Sequence, residues 1–227
     1  MKIVDIKTTI VNAEMRNWVF VKVITDNDLY GWGEATVEWK TRAVAGAIDD
    51  LKPLLIGKDP RNIKQNFQIM TKHGFWKMGV IGMTAISGIE HALWDILGKS
   101  LNTSVWQLLG GKVRDKIKIY THLGMGDMNA VYKDTMDNQK LNDHALELVS
   151  KGYKAFKVVF IPFTHHTNSI KNLKNVNKLM SSLREAVGDE IDIMVDFHGR
   201  CASGISAIQY IKELEPYNPL FIEEPIL

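Results

Sequence analysis

The stretch IDIMVDFHGRCASGISAIQYIKELEPYNPLFIEE, residues 191–224, decides the fold. It opens on a run rich in β-branched and apolar residues (Ile191–Phe197). An apolar pattern at helical spacing follows (Ile205–Leu214), then a second apolar run (Leu220–Glu224). Two short buried runs joined by a helix read as a parallel βα unit, because a parallel neighbour is reached only through a crossover. The rhythm extends backwards. Ile117–Leu123 and Ala155–Phe160 read as strands, and roughly Ala130–Lys151 and Ser169–Val187 as helices. Four strands of this type are expected, whereas a closed barrel of the class takes eight, in roughly 250 residues.

Upstream the rhythm differs. Ile3–Val11, Trp18–Thr25 and Leu29–Glu34 alternate with period two, and Thr25-Asp26-Asn27-Asp28 has the composition of a hairpin turn. A three-stranded antiparallel meander is expected there. Helical patterns follow at Thr41–Ile56 and Met83–Leu101, with a short turn at Val105–Leu109. Another helix is expected to open at Asp59-Pro60, a capping residue followed by proline at the first helical position, and to run to about His73. Gly74–Gly82 reads as glycine-rich loop. The expected architecture is therefore an α+β domain over residues 1–115 and a β/α domain over 116–227, joined near Lys112–Lys116.

Composition excludes several function classes. Lys and Arg number 28 against 26 Asp and Glu, for a net charge of +2, and the basic residues are dispersed rather than gathered on one element. That argues against a nucleic-acid partner. Cys201 is the only cysteine, so no internal disulfide forms. The opening MKIVDIKTTIV alternates and lacks the apolar core of a secretory signal. No run approaches the roughly 18 apolar residues of a membrane helix. A cytoplasmic protein without a membrane partner is expected.

The chemistry concentrates at two strand ends. Asp196 and His198 are two apart and share a face. Glu223 and Glu224 end the next strand, where alternation turns one inward and the other away. In parallel β/α folds the carboxyl ends of strands carry function. Acidic groups stacked there need neutralising, and a hard cation with oxygen ligands such as Mg²⁺ does so. Alternatively these residues cap helices or pair with Arg200. Adjacent strands and matching ends favour the metal.

Six strings then become informative together: Gly-Trp-Gly-Glu (31–34), Ala-Leu-Trp-Asp-Ile (92–96), Val-Trp-Gln-Leu-Leu-Gly-Gly (105–111), Val-Arg-Asp-Lys-Ile (113–117), Asp-Phe-His-Gly-Arg (196–200) and Phe-Ile-Glu-Glu-Pro (221–225). In order along the chain they resemble the mandelate-racemase-type branch of the enolase superfamily, and within it the acid-sugar dehydratases that act on galactonate. The resemblance implies an α+β capping domain over a modified (β/α)₇β barrel, of which the chain holds the first half. It implies Asp196 and Glu223 as Mg²⁺ ligands and His198 as the general acid that protonates a departing hydroxyl. The reaction implied is Mg²⁺-assisted removal of the proton α to a carboxylate, then loss of the neighbouring hydroxyl as water, leaving a 2-keto-3-deoxy sugar acid. The substrate is a small sugar acid, with mannonate and gluconate as alternatives to galactonate, and the full-length protein is expected to be a homo-oligomer.

Departures from the pattern carry equal weight. Racemase-type relatives often place Lys-x-Lys at the end of the second barrel strand. Here Val159 stands at the second lysine, which argues against racemisation, and Lys157 remains as a polar neighbour expected to be solvated. His122 ends the first barrel strand and is a candidate substrate contact; His165 and His166 are expected to be solvated. The family's third metal ligand and base lie on later strands, beyond Leu227. The 227 residues alone are therefore expected to be inactive and prone to self-association. Open edges would lack partners, and the inward side chains, Val195 and Ile222 among them, would lose their opposite wall. A non-catalytic remnant or interaction module of the same fold is the competing expectation.

Overall fold

The period-two segments pair as expected: β1 (Ile3–Ala13), β2 (Arg16–Thr25) and β3 (Tyr30–Glu34) form an antiparallel sheet in that order. The alternation on β2 shows why. Val19, Val21 and Val23 are buried, while the residues between them stand on the other face. At the β2–β3 turn the Thr25 amide donates to the Leu29 carbonyl at 3.0 Å and its hydroxyl to Asn27 Oδ1 at 2.6 Å. Asp28 takes the left-handed conformation, φ 65°, which Asp tolerates better than most residues. The computed structural model describes residues 1–124, 137–164 and 166–226 and divides into two units, Met1–Asp115 and Lys116–Leu227.

In the first unit, helix α1 (Thr41–Leu55) buries Val44, Ile48, Leu51 and Leu55, and α3 (Gly79–Ser100) lies against β3. The approach of α3 explains the Gly-Trp-Gly-Glu string. A Cβ on Gly31 would sit 2.0 Å from the Ala92 carbonyl oxygen, and one on Gly33 1.9 Å from that of Gly88. Only glycine lets strand and helix backbones meet this closely. Between them the Trp32 amide donates to Asp95 Oδ2 at 2.9 Å, and Lys99 bridges that carboxylate to the Tyr30 carbonyl. Helix α3 is long and apolar enough to cross a membrane by length and composition alone. Its Ala85, Ile86, Ile89, Ala92, Leu93 and Ile96 are buried in the core of this unit, which accounts for that apolarity.

Two helix starts differ from expectation. Helix α2 (Ile63–Lys72) opens after Asn62, not at Asp59-Pro60. The Asp59 carboxylate is occupied by Arg61, and its carbonyl accepts from the Asn66 side chain at 2.9 Å, so a turn precedes the helix. Helix α3 opens at Gly79, inside the segment expected to be loop. Gly82 is buried there, where a Cβ would meet Met78 at 2.8 Å, so this glycine serves packing rather than a turn. The short α4 (Val105–Leu108) completes the unit.

The second unit carries β4 (Thr121–Leu123), β5 (Ala155–Val158), β6 (Asp192–Asp196) and β7 (Ile222–Glu223) as a parallel sheet in sequence order. Helices α5 (Asn138–Ser150), α6 (Ile170–Val187) and α7 (Gly204–Leu214) make the connections. Asp137, Ser169 and Ser203 cap them by accepting backbone amides of the first turn. The antiparallel α+β unit followed by parallel βα units is the fold order expected from the sequence, and the sheet is a partial barrel. Strands are shorter than their apolar runs: residues 117–120 are exposed and outside β4, and β7 is two residues long. Part of the helix expected over Ala130–Lys151 lies outside the described residues.

One orientation is corrected. Val195 is fully buried with Phe156, Val158, Ile193 and Phe197 against residues of α5, α6 and α7, and Ile222 packs on the same cluster. Both therefore face the helices, not the barrel interior. Since alternate residues take opposite faces, Met194 and Asp196 occupy the other side. That parity places the site.

Candidate metal and acid site

Four consecutive strands each offer one polar side chain to the same face. Asp196 on β6 and Glu223 on β7 are register partners. Lys157 on β5 stands opposite Met194, the residue two before Asp196, and His122 on β4 stands opposite Lys157. In a parallel ladder, register partners share a face, so His122, Lys157, Asp196 and Glu223 all line this side of the sheet.

Their contacts are close. Lys157 Nζ lies 3.0 Å from Asp196 Oδ2 and 2.7 Å from Glu223 Oε1. The two contacts together keep these carboxylate oxygens within about 6 Å of each other, within reach of adjustment to one shared ion. The second oxygen of Asp196, Oδ1, accepts the backbone N–H of His198 at 2.6 Å. The Asp196 side chain is only 4% exposed, and a charge so buried requires compensation of this kind. Burial works against the Lys157 charge, but hydrogen bonds to Glu223 and Asp196 outweigh it and hold the ammonium above its ordinary pKa.

Beyond β6 the chain turns sharply. His198 and Gly199 adopt φ of 53° and 62°. The Phe197 amide donates to the Glu223 carbonyl and the Gly199 amide to the Glu224 carbonyl, each at 2.9 Å, so the end of β7 and the residue after it clamp the turn. A left-handed histidine costs about 1–3 kcal/mol, a strain typical of functional sites. It sets His198 Nδ1 at 3.5 Å from Asp196 Oδ2 and 3.9 Å from Glu224 Oε2 while the ring stays exposed. Arg200, buried beneath, donates to the Ile161 carbonyl at 2.6 Å and stacks over Phe163, tying the loop after β5 to this turn.

The protein around His122 desolvates its ring, and the Lys157 ammonium adds to the effect. Its pKa is held below the ordinary value, with Asp196 pulling the other way. His166 is exposed, as expected; His165 lies outside the described residues. Val159, the residue that argued against racemisation, is buried.

Two donor sets share Asp196. Asp196 and Glu223 flank the Lys157 ammonium, while ligand atoms of Asp196, His198 and Glu224 all lie within 4.8 Å of one another. The first set offers carboxylate oxygens and already surrounds a cation, which suits a hard ion such as Mg²⁺. The second relies on an imidazole and on Glu224, whose side chain is 63% exposed. The first is the better fit. Lys157 was expected to be solvated; its side chain is 17% exposed and joins both carboxylates. A single charge inside the apolar run Ala155–Phe160 was the signal for it.

Comparison with known proteins places the chain. Residues 2–110 match the mandelate racemase / muconate lactonizing enzyme N-terminal domain, and residues 140–227 the enolase C-terminal domain-like family. The chain is 42% identical over 210 residues to the D-galactonate dehydratase of Klebsiella pneumoniae (strain 342), covering 92% of this chain and 52% of that protein. The chain thus spans about half the length of that curated relative. A crystal structure of an enolase superfamily member from Salmonella Typhimurium matches with a TM-score of 0.90 at 31% identity, over 100% of this chain and 62% of that one. An enolase from Pantoea ananatis, crystallised with bound D-gluconate and Mg, matches with a TM-score of 0.83 at 30% identity, over 100% of this chain and 60% of that one. Both domains matched in order, with strand ends that gather the acidic residues on one face, identify the chain as a member of the mandelate racemase-type branch of the enolase superfamily.

Proposed function

We propose that the chain belongs to an acid-sugar dehydratase acting on galactonate or a close epimer, and that it carries the metal-ligand and general-acid side of the site. One observation carries this reading: two carboxylates on adjacent parallel strand ends flank a cation, with a strained histidine beside them. Asp196 and Glu223 would hold Mg²⁺. When bound, Mg²⁺ stabilises negative charge that develops on a substrate carboxylate as the neighbouring carbon loses its proton.

His198 is the proton donor. Its Nδ1 faces Asp196 and Glu224, which leaves Nε2 to meet the β-hydroxyl of the substrate. As the carbon–oxygen bond breaks, the proton on Nε2 passes to the departing oxygen, which leaves as water. Histidine suits this role because its ordinary pKa lies near working pH. His122, on the same face, contacts substrate hydroxyls. Val159 has no proton to exchange, so it cannot act as the lysine base of the racemases. The single buried thiol, Cys201, suits a reducing, cytoplasmic setting.

The test uses the polypeptide that carries this chain, with D-galactonate, D-gluconate and D-mannonate at millimolar Mg²⁺. His198→Asn is expected to lower turnover by about 10²–10⁴-fold, the usual worth of general acid catalysis, with metal affinity changed only a few-fold. Unchanged turnover would remove His198 from the acid role.

A further inference from the structure

Lys157 serves two carboxylates at once, and that has a consequence for metal binding. Asp196 Oδ1 accepts the His198 amide at 2.6 Å, and Lys157 holds the other oxygen, Oδ2, at 3.0 Å. On the other side Lys157 holds Glu223 Oε1 at 2.7 Å. A divalent ion takes ligands at about 2.1 Å, so it would draw the two carboxylates closer than the lysine does. It would also carry two charges into the space beside an ammonium that is only 17% exposed and weakly screened.

Resting on the metal reading above, we propose that Lys157 is the resident cation of the metal-free site. It keeps Asp196 and Glu223 together before metal arrives, and a divalent ion binds by displacing its ammonium from at least one of them. Lys157 is in this sense a positioning residue that sets metal affinity.

Lys157→Met removes the charge and keeps most of the stem. With chelator present, the variant is expected to melt about 4 °C or more below the parent, because two clustered carboxylates lose their partner. Lys157→Met combined with Glu223→Gln should recover part of that loss. Titrated with Mn²⁺ and followed by electron paramagnetic resonance of the free ion, Lys157→Met is expected to bind about ten-fold or more tightly than the parent, since a competing charge is gone. Should the variant not fold, limited acetylation of the parent decides. Modification at Lys157, read by mass spectrometry, is expected to rise when Mn²⁺ is added. Equal or weaker Mn²⁺ binding by a folded Lys157→Met, or acetylation that does not rise, overturns the proposal and leaves the metal site standing if the parent binds Mn²⁺. Absence of Mn²⁺ binding in both parent and variant overturns both.

Discussion

Substituting Gly33 by alanine tests how the first unit is built. The new Cβ would stand 1.9 Å from the Gly88 carbonyl oxygen, 2.9 Å from its carbon and 3.0 Å from His91 Cβ. Ordinary contact is about 3.5 Å, so strand and helix must separate by about 1 Å or more. Neither yields readily. Gly33 is in register with Val21 of the central strand, and α3 is held by Ile89, Ala92 and Ile96 in the core. Gly88 itself has no slack, since a Cβ there would lie 2.6 Å from Ala35 Cβ. Overpacking typically costs 1–3 kcal/mol, and with backbone on both sides of the clash the upper end applies, about 3 kcal/mol. Urea denaturation followed by tryptophan fluorescence would measure it. Gly46→Ala is the control. Gly46 is exposed inside α1 with nothing within 4 Å of its would-be Cβ, so alanine there should stabilise by about 0.5–1 kcal/mol. A Gly33→Ala protein within about 0.5 kcal/mol of the parent would refute the close-packing argument.

Other consequences are independent of that clash. Asp59 is held at a pKa of about 2, from an ordinary 3.8, chiefly by its hydrogen bond to the Arg61 side chain. A depressed carboxyl stabilises the fold above its unfolded pKa, so this contribution should vanish as pH falls from about 4 to 2. Asp59→Asn should flatten the acid limb of stability against pH, and an unchanged limb would count against the pair. Cys201 is fully buried, and burial pushes its thiol pKa up. It should resist a thiol-specific disulfide reagent at neutral pH in the folded protein and react at once in denaturant; rapid native reaction would contradict its placement. His122→Gln should raise KM more than it lowers kcat, whereas an effect on kcat alone would give His122 another role.

Much of this was legible in the sequence, for physical reasons. Valines 19, 21 and 23 announce a half-buried strand because side chains alternate, and Ile86, Ile89, Leu93 and Ile96 announce a core helix because theirs recur each turn. What escaped depends on contacts distant in sequence. Asp59-Pro60 has the chemistry of a helix start, but Arg61 takes the carboxylate. Gly79 and Gly82 look like loop residues until α3 is seen packing. A run such as Leu220–Glu224 does not reveal that only Ile222–Glu223 forms a strand, since backbone pairing depends on its neighbour. Whether Val195 or Asp196 faces the helices is a question of parity, and both answers give an apolar neighbour on each side. At the site, the pairing of Asp196 with Glu223 follows from two motifs on adjacent strands. Lys157 had to be seen between them.

Product formation is the most direct test of these roles. The polypeptide that carries this chain, given D-galactonate and Mg²⁺, is expected to release a 2-keto-3-deoxy acid, detectable by its semicarbazone absorbance. Asp196→Asn should abolish that release, because it removes the carboxylate proposed to hold Mg²⁺ while leaving an oxygen for the His198 amide. Product from the Asp196→Asn protein at the parent's rate, or none from the parent with any sugar acid, would contradict the claim that these strand ends form the metal and acid side of a dehydratase.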